Sequence, residues 1–206
     1  MSLWIFLSEA ILISLSGVMA PGPVTAAAVG KGSESPHAGA WIAIGHGVVE
    51  VPLMAAVLLG VTRVLDLPYV RAGIGALGGV FLLVMGVGML RTLRSADVGS
   101  AGFHGSPVTA GILLSLGNPY LFVWWATVGA TLILRSIAFG LLGFVALAVS
   151  HWLCDFSWDH FLSALSYKGG RFFGRGFQRA VFAVCGVLLL VFGARLLLDT
   201  ARMLLV

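Results

Sequence analysis

The sequence contains six apolar stretches that are each long enough to cross a lipid bilayer, which takes about 20 mostly apolar residues. They run approximately over 3–29, 38–61, 69–92, 107–134, 137–165 and 179–205. Lipid offers no hydrogen-bond partners, so a spanning backbone must satisfy its own polar groups, as an α-helix of this length does. We therefore predict an all-α integral membrane protein with six transmembrane helices.

The composition agrees with a membrane location. Only 10% of the 206 residues are charged and 59% are hydrophobic, whereas soluble domains carry about 25% charged residues. The segments between the apolar stretches are short, so no soluble domain is left over. We expect a single transmembrane domain over 1–206.

The formal net charge of +4 does not point to a nucleic-acid partner, because the Lys and Arg residues lie mainly between the apolar stretches. The first, third and fifth connecting segments carry more of them than the second and fourth. The positive-inside rule places the richer segments in the cytoplasm. Both termini are then expected outside.

Proline motifs interrupt the first and fourth stretches. Pro21-Gly22-Pro23 removes two backbone donors within three residues, which favours an unwound segment over a simple kink. Asn118-Pro119 interrupts the fourth stretch at a comparable depth, and Asn is suited to cap a restarted helix. Such a restart directs free N–H groups and a partial positive charge toward whatever lies before it. We predict that helices 1 and 4 are both broken.

The chain also resembles itself. Gly79–Gly86 and Gly186–Gly193 match at six of eight positions, including the glycines at both ends. The proline motifs and the polar pairs described next recur in the same order in both halves. Each half has three spans, so the second half must enter the membrane from the opposite side. We predict two inverted three-helix repeats, one over about 1–95 and one over about 105–206, with a shared site near the midplane.

Two histidines and two acids lie near the middle of the second and fifth stretches. His46 precedes Glu50 by four positions and His151 precedes Asp155 by four, so each pair shares a helix face. A charge at that depth costs about 2.5–3.5 kcal/mol on insertion scales and should face a cavity or a partner. We expect the four to line a central cavity, with a hydrogen-bonded tie between the two helices as the alternative. Asp159 is expected nearer the membrane interface.

These motifs resemble the lysine-exporter (LysE/RhtB-type) family of amino-acid exporters. The family carries Pro-Gly-Pro in its first span and Asn-Pro at the start of its fourth, here within Gly117–Tyr120. Its fifth span has an Asp followed three residues later by Trp, here Asp155 and Trp158. The resemblance covers essentially the whole chain. It implies a transporter and not an enzyme, in the cell (plasma or inner) membrane, that exports amino acids or related metabolites by proton or ion coupling.

If the substrate is a zwitterionic amino acid, its carboxylate and its ammonium group each need a binding place, and the residues themselves suggest the roles. The broken helices would bind the substrate carboxylate, while Glu50 and Asp155 would bind its ammonium group and, with His46 and His151, the coupled proton. The expected substrate-binding residues are Pro21, Gly22, Pro23, Asn118, Pro119, Glu50 and Asp155. The expected proton-coupling residues are His46, His151, Glu50 and Asp155.

A second hypothesis is a divalent transition-metal exporter. His46, Glu50, His151 and Asp155 offer two imidazoles and two carboxylates, a donor set suited to zinc, nickel or cobalt. The four positions are more histidine-rich than is typical of amino-acid exporters, which keeps this alternative open. No cofactor is indicated. The expected partners are a small-molecule substrate and the lipid bilayer, and a homo-oligomer is compatible with the sequence.

Overall fold

The computed structural model describes residues 2–20, 22–60, 64, 67–92, 105–172 and 174–204, and within them the regular secondary structure is helical, without strands. The α-helices, in chain order, are α1 Leu3–Val18, α2 Pro23–Gly32, α3 Ala38–Leu58, α4 Pro68–Thr92, α5 Pro107–Leu116, α6 Pro119–Trp124, α7 Ala130–Ser136, α8 Gly140–Phe172 and α9 Gly174–Leu204. A π-helical segment, Trp125–Gly129, joins α6 to α7. A short 3-10 helix, Ile137–Phe139, joins α7 to α8. The all-α prediction is confirmed for the described residues.

Several of these helices are long and apolar enough to cross a membrane. Among the described residues, three helical runs qualify by length and composition: Ala38–Leu58, Pro68–Gly88 and Pro119–Gly169. A fourth is obtained if α1 and α2 together form one bent span, and Pro107–Leu116 is a shorter apolar helix. The apolar character that the sequence shows is thus carried by helices of membrane-spanning length.

The first helix is broken where the sequence predicted. The axis of α2 is bent by 76° from that of α1, and the break lies between Val18 and Pro23. Pro23 is the first residue of α2, a position where proline costs little because the first N–H of a helix has no intrahelical partner. Gly22 precedes it in an extended conformation, without a side chain to cap the helix. Pro21, predicted to take part in this break, lies outside the described residues.

The fourth predicted span is broken as well. Helix α5 ends at Leu116 and α6 begins at Pro119. Asn118 is the N-cap of α6, and its Oδ1 accepts a hydrogen bond of 3.1 Å from the backbone N–H of Tyr120. The prediction that Asn118 caps a restarted helix is therefore confirmed.

The prediction of a basic loop from Lys168 to Arg179, between the fifth and sixth spans, is wrong for the described residues. Helix α8 reaches Phe172 and α9 begins at Gly174, so the described part of this segment is helical. Hydropathy finds where an apolar stretch ends, and a helix can continue past that point into polar surroundings. Helix α8 also begins later than predicted, at Gly140, whose φ of +65° is a conformation that glycine adopts without strain.

Glycines allow the helices around the centre to pack closely. A Cβ on Gly45 would lie only 2.1 Å from the carbonyl oxygen of Val108, and one on Gly111 would lie 2.1 Å from that of Ile42. Helix α3 therefore packs backbone to backbone on α5. This contact places the first half of α3 against the first half of α5.

Helices α4 and α9 pack along a seam made by the two matching octapeptides. A Cβ on Gly79 would lie 3.1 Å from the carbonyl oxygen of Gly193, and one on Gly193 would lie 2.9 Å from that of Gly79. A Cβ on Gly86 would likewise lie 2.9 Å from the carbonyl oxygen of Gly186. The first glycine of each octapeptide thus meets the last glycine of the other, so the two helices run antiparallel along this seam.

Candidate functional site

The two histidines and two acids predicted from the sequence meet in one buried cluster. Helix α3 supplies His46 and Glu50, and α8 supplies His151 and Asp155. The Nε2 atom of His46 lies 3.3 Å from Glu50 Oε1 and 3.8 Å from Asp155 Oδ1. The Nε2 atom of His151 lies 3.2 Å from Glu50 Oε1 and 3.5 Å from Asp155 Oδ2. The Nε2 atom of each histidine therefore faces both carboxylates.

A tryptophan completes the surroundings of Glu50. The indole Nε1–H of Trp125 donates a hydrogen bond of 3.0 Å to Glu50 Oε1. Trp125 is the first residue of the π-helical segment, which adds a residue to one helical turn, and such bulges occur frequently at functional sites. From the sequence, Trp125 is expected to be a packing aromatic, with a cavity wall as the alternative, and its bond to Glu50 is not predicted because no periodicity in the sequence marks a π-helical turn.

Two oxygens of the cluster have no hydrogen-bond partner in the described part of the chain, Glu50 Oε2 and Asp155 Oδ2. Glu50 is 1% exposed and Asp155 is 7% exposed. A buried carboxylate oxygen without a donor is costly, since it has lost its hydration. These two atoms are the open acceptor positions of the cluster.

The cluster lines a cavity of about 470 Å³. This volume is in the range of small-molecule sites, which is about 300–1,000 Å³. Both breaks reach the same cavity, because its walls include Gly22, Pro23, Asn118 and Pro119. The structure thus brings together all the predicted site residues that it describes, and Pro21 lies outside them.

Three charged residues of the cavity wall were not predicted to be there. Asp159, expected near the membrane interface, is instead 4% exposed and lines the cavity. It continues the face of Asp155 by one further turn of α8, a spacing that could have identified it. Arg195 and Asp199 of α9 also line the cavity, and their side chains lie 3.8 Å apart.

Each histidine is also held on its other side by a serine. The Nδ1 atom of His46 lies 2.6 Å from Ser115 Oγ, and that of His151 lies 2.8 Å from Ser14 Oγ. Ser115 lies near the end of α5 and Ser14 lies in α1, so each serine belongs to a helix that ends at a break. In the sequence, neither serine differs visibly from the other serines of the apolar stretches.

Three of the cluster residues could hold a cation. His46, Glu50 and Asp155 each offer one ligand atom, and these atoms lie within 4.8 Å of one another. The Nε2–Oε1 distance between His46 and Glu50, 3.3 Å, is short enough for both atoms to reach one zinc ion at about 2.0–2.2 Å. The same atoms could surround an ammonium group, which needs acceptors. The geometry suits either kind of positive charge.

A helical protein with broken helices around a buried ionisable cavity has the architecture of membrane carriers. Residues 15–200 match the family of LysE type translocators, and the chain belongs to that family. It is a membrane transporter and not an enzyme. A relative from Bacillus subtilis (strain 168), named "Putative amino acid efflux protein YcgF", is 27% identical over 198 residues, which cover 92% of this chain and 93% of the relative. No solved structure matches the chain.

Proposed function

We propose that this transporter is a secondary carrier that exports an amino acid through the central cavity, coupled to the movement of protons. The single observation that carries the proposal is the meeting of two acids and two histidines in a buried cavity that both broken helices reach. The name of the Bacillus subtilis relative, an amino acid efflux protein, favours an amino acid over a metal ion as the cargo.

The ammonium group of the substrate would bind at the acids. Glu50 Oε2 and Asp155 Oδ2 are the acceptors that lack a donor, and an ammonium group supplies three. Asp159 adds a third carboxylate to the same wall. Binding of the ammonium group would thus supply donors to two atoms that have none among the described residues.

The carboxylate of the substrate would bind at the breaks. Helix α2 begins at Pro23 without a side-chain cap, so its positive end is available to an anion. The end of α6 differs, since Asn118 Oδ1 already accepts from the Tyr120 N–H. At this break the side-chain amide of Asn118 remains to donate to the substrate. Gly22 and Pro119 would shape the walls, and Pro21, outside the described residues, stays a predicted substrate-binding residue.

Proton coupling would use the same cluster. An ammonium group and a proton compete for Glu50 and Asp155, because both are held by the negative charge of these acids. His46 and His151 lie within 3.8 Å of the acids, close enough to share that proton with them. Binding of the substrate on one side of the membrane would then release a proton there.

The arrangement of two inverted repeats within a single transporter domain, 1–206, belongs to this proposal. The exchange of glycines along the seam of α4 and α9 supports it, because a two-fold axis would produce such a reciprocal contact. The serine–histidine contacts support it too, since each joins the broken helix of one half to the polar helix of the other. We propose a location in the cell (plasma or inner) membrane with both termini outside.

The experiment is a flux assay with the purified protein in liposomes under an imposed proton gradient. Labelled leucine, threonine and lysine are compared with zinc, nickel and cobalt, and liposomes without protein provide the background. We expect at least one amino acid to move, at a rate that falls when the gradient is collapsed. Flux of a metal ion without flux of any amino acid would overturn the proposal. Amino-acid flux that ignores the gradient would overturn the coupling.

A further inference from the structure

The two serines behind the histidine rings are almost completely enclosed by protein. Ser115 is 0% exposed and Ser14 is 1% exposed. Their hydroxyls lie 2.6 Å and 2.8 Å from Nδ1 of His46 and His151. A buried hydroxyl at this distance is part of the ring's hydrogen bonding, because no water competes for it.

The direction of the Ser115 hydroxyl determines the tautomer of His46. The Ser115 hydroxyl donates to the carbonyl oxygen of Gly111 at 2.5 Å. A hydroxyl has one proton, so Ser115 Oγ can only accept from the imidazole. Nδ1 of His46 therefore carries a proton and donates it to Ser115.

This assignment leaves Nε2 of His46 as the atom that faces the acids. In a neutral ring with a proton on Nδ1, Nε2 has a lone pair and no proton. Its neighbours are Glu50 Oε1 at 3.3 Å and Asp155 Oδ1 at 3.8 Å, which also present lone pairs. The contact is attractive only when a proton lies between them, on Nε2 or on a carboxyl group. Ser115 thus makes Nε2 the nitrogen that shares a proton with the acids.

We propose that Ser115 and Ser14 are positioning residues, which hold Nε2 of His46 and His151 toward Glu50 and Asp155. Each serine also ties a broken helix to the cluster, because Ser115 lies in α5 and Ser14 in α1. Displacement of either helix would then turn the ring that it holds. The link to transport rests on the proposed function, whereas the orientation of the rings does not.

The two serines should not be equally important. The ring of His151 also contacts Trp124 and Trp125, with centroids 5.0 Å and 4.8 Å away. No such aromatic contact with His46 occurs among the described residues. Loss of the Ser115 hydroxyl should therefore disturb its histidine more than loss of the Ser14 hydroxyl disturbs His151.

The first test is ¹⁵N NMR of the purified full-length protein with labelled histidine, which requires no substrate. The His46 signals are those lost in His46→Gln, and we expect them to show a protonated, hydrogen-bonded Nδ1. Ser115→Ala and the similarly sized Ser115→Cys should shift them, while Ser115→Thr should not. Ser136→Ala is the matched control, because its buried hydroxyl donates to the carbonyl oxygen of Ile133 in its own helix and to no second group within the described part of the chain. An unchanged tautomer in both Ser115→Ala and Ser115→Cys would overturn the proposal.

The second test measures transport of labelled leucine by the same variants in liposomes. Ser115→Ala should lower the maximal rate about tenfold, since one hydrogen bond to an ionisable ring is lost, with KM little changed. Ser14→Ala should have a smaller effect, and Ser115→Thr should restore the rate. A wild-type rate in Ser115→Ala would overturn the link to transport. If wild-type protein moves no amino acid, the proposed function fails, while the histidine spectra still decide the orientation of the rings.

Discussion

Glu50 is the residue on which most of the central contacts converge. Its Oε1 atom lies within 3.3 Å of three nitrogens, one from Trp125 and one from each histidine. These three nitrogens come from three different helical segments, α3, α8 and the π-helical segment. Replacing this one side chain would therefore alter contacts with residues of α3, α8 and the π-helical segment.

Replacing either acid with its amide should abolish transport. Glu50→Gln and Asp155→Asn keep the size of the side chain and remove the charge that would bind an ammonium group or a proton. Flux and expression level are measured together, and expression should stay close to that of the wild type. Glu9→Gln is the control, since Glu9 pairs with Arg135 on the exposed surface, where an ion pair contributes only about 0–1 kcal/mol. Wild-type flux in either cluster variant would contradict the proposed site.

Removing the indole N–H from Glu50 should weaken transport without abolishing it. Trp125→Phe keeps an aromatic ring beside His151 and deletes one hydrogen bond to a carboxylate, a contact typically worth about 1.5–3 kcal/mol. We expect the ratio of maximal rate to KM to fall by about tenfold or more. Trp124→Phe is the matched control, because Trp124 also contacts His151 and is not the indole that donates to Glu50. Equal losses in the two variants would show that ring size matters and the hydrogen bond does not.

At the residue level, the sequence predicted the cluster and not its supports. The pairs His46–Glu50 and His151–Asp155 could be predicted because residues four positions apart lie on the same face of a helix. Ser14 and Ser115 could not be found, since many serines occur in the apolar stretches and only the packing of distant helices selects two of them. Asp159 was expected near the membrane interface because it lies toward the basic end of its apolar stretch. In the structure its side of α8 borders the cavity instead.

At the level of single elements, the close packing of α3 on α5 should make the stability of the protein sensitive to substitution of Gly45. Gly45→Ala would place a methyl group 2.1 Å from the carbonyl oxygen of Val108, which is backbone and cannot turn away. Overpacking of this kind costs about 1–3 kcal/mol. Thermal unfolding in detergent should therefore show a lower Tm for Gly45→Ala than for the wild type.

Gly73→Ala is the control for that substitution. Gly73 lies inside α4, and a Cβ there would meet nothing within 4 Å. Alanine favours a helix over glycine by about 1 kcal/mol, so Gly73→Ala should leave Tm unchanged or raise it. A lower Tm for both variants would mean that the close contact of α3 with α5 is not the cause.

The helix breaks were predictable because proline acts through its own covalent structure. It removes an N–H wherever it stands, yet Pro52 lies inside α3 without ending it. The interruptions at Gly22–Pro23 and Asn118–Pro119 follow from local chemistry because a glycine or a capping Asn in extended conformation precedes each of these prolines. The bend of 76° between α1 and α2 does not follow from it. That angle depends on how α2 packs against other helices, including the bond from Ser166 Oγ to the carbonyl oxygen of Val29.

At the level of the whole molecule, the orientation in the membrane can be tested with two cysteines. The native Cys154 and Cys185 are first replaced with alanine. Glu34→Cys lies between α2 and α3, and Ala138→Cys lies in the 3-10 helix before α8. The positive-inside rule predicts that a membrane-impermeant thiol reagent labels Glu34→Cys only from the cytoplasmic side and Ala138→Cys only from outside. Labelling of both from one side would contradict the proposed topology.

The six-span inverted repeat stays a prediction at this scale. It is predicted from the number of apolar stretches and from the similarity of the two halves of the sequence. The position of a single helix does not show in which direction that helix crosses a bilayer. The structure adds the reciprocal glycine contacts between α4 and α9. Comparing the two halves of the sequence shows that they are similar and does not show that they touch.

The seam of α4 and α9 restricts how such a protein can diverge. A larger residue at Gly79 meets the backbone of Gly193, and one at Gly86 meets that of Gly186. The nearby side chains of Leu197 and Leu190 could turn away, but the two carbonyl oxygens are backbone atoms, so a larger residue at either glycine requires the two helices to move apart. Among homologues we expect these positions to vary in pairs or not at all, while residues of the cavity wall change with the substrate. After gene duplication, the two proteins could then evolve to transport different substrates while they keep the same packing of α4 on α9.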